Sequence, residues 1–103
     1  MLGEKLKALR EAKGLVQRQV AAELEVDTAY ISKMESNEKP VSRTHLKKLA
    51  VLLGIGEEDL LTLWLADKLL DVVKGEPAGL KSVEIVLAQM HDNKKIENEK
   101  IRK

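Results

Sequence analysis

The chain has 103 residues, with 18 Lys and Arg against 17 Asp and Glu, no Cys, no Phe, one Trp and one Tyr. That length fits one compact domain, or one domain plus an extension, with an aliphatic core. Disulfide scaffolds, thiolate metal sites and Cys nucleophiles are excluded. In chain order, the spacing of Leu2, Leu6 and Leu9 predicts helix 1 over about Glu4 to Lys13, ended by Gly14. Helix 2 follows over Gln17 to Leu24, with Val20, Ala21 and Leu24 inward. After a three-residue turn, Asp27 caps helix 3, Thr28 to Ser36, with Ile31 and Met34 inward. Ser42 caps helix 4, Arg43 to Leu53, with Leu46, Leu49, Ala50 and Leu53 inward and Gly54 as its stop. Glu57, Glu58 and Asp59 favour the positive end of helix 5, which runs to Lys74. Pro77 opens helix 6, Ala78 to Met90. The tail from His91 is either frayed or a solvated helical extension.

The near-zero net charge hides three segments. Met1 to Leu53 carries +3, Gly54 to Asn93 carries −5, and Lys94 to Lys103 carries +3. The N-terminal MLGEKLKALR has no apolar signal core, and the most apolar stretch, Leu60 to Val73, is broken by Asp67, Lys68 and Asp71. A cytoplasmic protein without a membrane partner is the expectation.

Two short helices joined by three residues make a helix-turn-helix. From Gln17 to Asn37, QRQVAAELEVDTAYISKMESN resembles the phage-repressor-like (Cro/C1, or XRE) family of DNA-binding domains. Gln17, Ala21, Ile31, Ser32, Lys33 and Glu35 stand where that family's pattern expects them. PVSRTHLKKLAVLLGI resembles its fourth helix and GEEDLL the start of its fifth. The resemblance covers about Leu2 to Leu65. It implies an all-α fold: a five-helix repressor-like helix-turn-helix domain (1–65), here with an extended fifth helix and an added C-terminal helix (66–92) before a charged tail (93–103).

With Ile31 and Met34 taken as inward, Ala29 and Ser36 point outward, flanked by Thr28, Ser32 and Lys33. A small, polar outer face suits a helix lying in a major groove. The resemblance assigns base contacts to Thr28, Ala29, Ser32 and Lys33. It assigns phosphate contacts to Gln17, Arg10, Tyr30, Asn37, Lys39 and Arg43; Tyr30 packing on helix 2 is an equal reading. Arg10 and Glu35 match the family's ion pair between helices 1 and 3, the alternative being two solvated charges. Two residues depart from the pattern. Val16 replaces a capping Ser, Thr or Asn, at a cost of about 1 kcal/mol. Glu25 replaces a turn Gly, costing roughly 1 kcal/mol if the backbone is left-handed.

His45 and His91 lie in different segments without a metal-ligand pattern, and His45 reads as a surface residue near helix 4's start. No nucleophile stands with a base. No enzyme activity, cofactor, metal or small-molecule substrate is expected. Helix 5 is more apolar than one core face needs, and on helix 6 Leu80, Val83, Leu87 and Met90 keep a 3-4-3 spacing. These residues, with Trp64, Leu65, Leu69 and Val72, predict a homodimer interface; the alternative is an intramolecular hairpin. The basic tail either contacts DNA outside the core site or has no partner.

The function expected is that of a sequence-specific, dimeric DNA-binding regulator, most simply a repressor on a palindromic operator. The resemblance also covers restriction–modification controllers and DNA-binding antitoxins. The same fold used as a protein-interaction module is the competing class.

Overall fold

A computed structural model describes residues 1–101, with side chains through Lys94. It contains six helices: α1 (Leu2–Ala12), α2 (Gln17–Leu24), α3 (Thr28–Glu35), α4 (Arg43–Leu53), α5 (Glu57–Val73) and α6 (Gly79–Ile101). No strand occurs among the described residues, so the fold is all-α. The chain forms two compact units, Met1–Lys68 and the segment from Leu69 onward.

The first unit closes around one aliphatic core. Leu6 of α1, Val20, Ala21 and Leu24 of α2, Ile31 and Met34 of α3, and Leu46, Leu49 and Leu53 of α4 are buried, and Leu60 of α5 completes the core. Each recurs at three- or four-residue spacing on its helix, which is why these short segments are helical at all: packing of an apolar stripe supplies what intrinsic propensity does not.

Helix α1 begins at Leu2, two residues before the sequence suggested, because tertiary partners take its free amides. The Leu2 amide donates to Asp67 Oδ2 at 2.9 Å, and the Gly3 amide donates to Asn37 Oδ1 at 3.1 Å. The approach to α3 is close enough that a Cβ on Gly3 would sit 2.7 Å from the carbonyl oxygens of Met34 and Glu35. Helix α3 ends at Glu35, with Ser36 as its cap.

Asp27 and Ser42 occupy the capping positions of α3 and α4, but neither side chain makes the capping hydrogen bond. The Ser42 hydroxyl is bonded instead to Thr44 Oγ1, at 2.8 Å. At Val16 the missing cap is partly replaced: Gln19 Oε1 reaches back to accept the Val16 amide at 2.8 Å, one half of a capping box.

Glu25, in the turn between α2 and α3, is left-handed with φ 57° and ψ 46°. An L-residue other than Gly or Asn is strained there by roughly 1–2 kcal/mol, part of which Gly would return through its freer unfolded chain. Glu25→Gly is therefore expected to stabilise the first unit by about 0.5–1 kcal/mol, a rise of several degrees in the thermal midpoint. An unchanged or lowered midpoint would show that this turn carries no strain.

In the second unit, Gly75 turns the chain with φ 78°, and the Gly79 amide donates to the Glu76 carbonyl at 2.9 Å. Helix α6 then runs on to Ile101 without a break, past the expected end near Met90, and the last two residues of the tail, 102–103, lie outside the described residues. Many apolar residues of this unit are exposed: Leu69 is 60% exposed, Val72 76%, Leu80 75% and Met90 63%. Val83 and Leu87 are exposed as well. No helix of the described residues is long and apolar enough to cross a membrane.

Candidate nucleic-acid interface

Helix α3 is divided into two faces. Ile31 and Met34 are buried on the inner one, while Thr28, Ala29, Ser32, Lys33 and Ser36 are exposed on the other. The inner anchors hold the helix against α1 and α2, whose residues pack across it. The outer face offers one methyl, two small hydroxyls, a Thr and a single ammonium. Such a face is shallow enough to enter a major groove and carries donors that base edges can accept.

Beneath it lies a buried polar knot. Arg10 Nε donates to Glu35 Oε2 at 2.7 Å and Arg10 Nη2 donates to Glu35 Oε1 at 3.1 Å, a bidentate pair. Arg10 Nη1 donates to the Leu15 carbonyl at 2.7 Å, and Gln17 Nε2 donates to Glu35 Oε1 at 3.0 Å. Arg10 is 9% exposed and Glu35 6%. The Glu35 carboxylate raises the Arg10 guanidinium above its already high value, so the cation is permanent. One carboxylate thus ties α1 and the start of α2 to the end of α3.

Three residues expected at the phosphates make bonds within the fold. Arg10 is buried and each of its guanidinium nitrogens donates one internal bond, so it acts as a strut. Gln17, half-buried, donates to Glu35. Asn37, left-handed with φ 65°, accepts from Gly3 and donates to Glu4 Oε1 at 2.8 Å, joining the end of α3 to the start of α1. A polar side chain at a helix end looks the same in sequence whether or not it also bonds within the fold, so these internal partners left no trace there.

Tyr30 is half-buried against the core, and its hydroxyl donates to the Pro40 carbonyl at 3.2 Å. His45 is also half-buried, not a surface residue: its ring meets Tyr30 edge-on at 6.0 Å, and its buried Nδ1 has no partner among the described residues. Lys39 and Arg43 are exposed beside the α3–α4 loop. That loop is folded onto the recognition helix, since the Lys33 carbonyl accepts both the Glu38 and Lys39 amides, at 2.8 and 3.2 Å.

Trp64 requires a correction. Placed by its spacing in the dimer interface, it belongs to the first unit, partly buried against the core. Its Nε1 donates to the Val41 carbonyl at 2.6 Å. A half-buried indole needs an acceptor, and this carbonyl supplies it. Leu65 is exposed on the same helix.

Among the described residues, no group of three or more His, Asp or Glu side chains gathers where it could hold a metal ion. What the surface offers is an exposed, polar helix face held by buried anchors.

Comparison with known proteins bears on the same part of the chain. The family of helix-turn-helix domains matches residues 1–63. The chain belongs to that family. It is also similar to Control protein C.MunI of Mycoplasma sp, at 39% identity over 59 residues, which cover 56% of this chain and 80% of that protein. No solved structure matches. Fold and relatives together make this helix-turn-helix chain a DNA-binding, transcription-regulator-like protein, and they point away from an enzyme.

Proposed function

We propose that the helix-turn-helix unit reads a specific DNA sequence with α3 in the major groove, and that the chain acts as a homodimer on a palindromic operator, most simply as a cytoplasmic repressor. The observation that carries the reading is the outer face of α3. Thr28, Ala29, Ser32 and Lys33 are exposed together, with no large apolar anchor among them. A helix that docks protein exposes such anchors; a helix that reads bases exposes donors and methyls. Lys39 and Arg43 flank it as phosphate contacts. Residues 1–65 form the DNA-reading part and 66–92 the dimerising part, with the tail beyond as an extension.

Leu65, Leu69, Val72, Leu80, Val83, Leu87 and Met90, all exposed, support a second copy as the partner. Isolated apolar residues on a surface are ordinary, but so many along α5 and α6 favour an interface. Two copies would set their recognition helices in half-sites about one helical turn, roughly 34 Å, or a multiple of it apart. The similarity to a control protein favours the controller class over the antitoxin class among regulators.

A random-site selection followed by nuclease protection tests the reading. A protected palindrome, with a solution mass of two chains at micromolar concentration, is the expected result. Equal affinity for all sequences would refute base readout, and a single-chain mass would refute the dimer.

A further inference from the structure

Trp64 gathers two cations from different helices. The Lys68 Nζ stands 4.3 Å from the centre of the indole ring, and the Arg43 guanidinium carbon 5.8 Å from it. Lys68 lies one turn beyond Trp64 on α5, so both side chains share a helix face. Arg43 is the first residue of α4, and the Val41 carbonyl two residues before it holds the indole in place at 2.6 Å. Among the described residues, neither Arg43 nor Lys68 has a carboxylate within ion-pair distance. The neighbouring acids are engaged elsewhere: Asp67 with the start of α1, Asp71 with Lys74 at 3.0 Å.

Two cations on one ring repel each other, and the ring's negative face offsets only part of that repulsion. Both are exposed, so an anion can reach them from solvent. The loop they flank carries Lys39 and is fastened to the back of the recognition helix through Lys33 and Tyr30. We propose that Trp64, Arg43 and Lys68 form a phosphodiester clamp, in which Lys68 supplies a DNA backbone contact from the fifth helix. Trp64 is the positioning residue: its ring holds both cations at one place and its Nε1 fixes the loop beneath them. The proposal rests on the DNA reading given above and adds to it a contact outside the helix-turn-helix and its following loop.

The test is equilibrium binding of wild type, Lys68→Gln and Lys68→Arg to the selected site and to an unrelated duplex, over a range of salt concentrations. A lysine that neutralises a phosphate releases a counterion, so Lys68→Gln should weaken binding to both duplexes alike. It should also flatten the log–log salt dependence by about one unit per protomer bound. Lys68→Arg should keep the wild-type slope. An unchanged slope for Lys68→Gln, against a wild type that binds with clear salt dependence, overturns the clamp alone. A wild type whose binding has no salt dependence overturns the DNA reading and the clamp with it.

Discussion

Replacing Arg10 with Ala is expected to destabilise the first unit by about 3–5 kcal/mol, the cost of stranding a buried carboxylate. Glu35 would keep only the Gln17 amide at 3.0 Å, and the Leu15 carbonyl would lose its donor. Proteins of this size are stable by about 5–15 kcal/mol in total, so the variant would unfold at greatly reduced denaturant concentration. Urea unfolding followed by circular dichroism checks this: the midpoint should fall steeply with an unchanged slope. A loss below about 1 kcal/mol would mean that water reaches Glu35 and that the pair behaves as a surface bridge.

The same physics predicts a contrast. Removing both charges, as in Arg10→Met with Glu35→Leu, leaves no orphan ion, and such replacements are often neutral or stabilising. The double variant should therefore recover most of the loss while giving up the tie between α2 and α3. If its stability is restored and its DNA affinity is not, the pair serves to hold the recognition helix in register. If both are restored, packing alone holds it there.

The expected bounds of α2 and α4 are those of the structure, because each is written locally: an apolar stripe, closed in α4 by Gly54. Ile31, Met34, Leu46 and Leu49 were inward by periodicity and are buried. Contacts between distant parts of the chain left no such trace. Asp67 taking the Leu2 amide spans 65 positions and the Arg10–Glu35 pair spans 25, so periodicity could not show the partners that Asn37 and Gln17 find on α1 and α3. The family resemblance did point to the Arg10–Glu35 pairing, which the structure forms as a buried bidentate pair. Trp64 misled for a related reason. Its neighbours on α5 form several apolar stripes, and only the position of the Val41 carbonyl decides which stripe faces the core. The length of α6 was missed because the tail carries no regular apolar stripe to mark a helix, and its charged residues read equally as a frayed end.

The largest functional effect is expected at Lys33. If its ammonium donates to guanine O6 and N7, Lys33→Ala removes about 1–3 kcal/mol of discrimination per half-site. A dimer on a palindrome loses that amount twice, about 2–6 kcal/mol, which is roughly 30-fold to 20,000-fold in affinity for the operator. On a duplex with one intact half-site the loss in free energy should be half as large, and on unrelated DNA only the general charge effect should remain. Lys39→Ala should behave in the opposite way, weakening all duplexes alike and flattening the salt dependence. The comparison separates base reading from phosphate holding, and the ratio of the two operator losses reports how many copies of α3 are engaged. A uniform loss across all duplexes for Lys33→Ala would move Lys33 to the phosphates and leave Thr28, Ala29 and Ser32 as the base-reading residues.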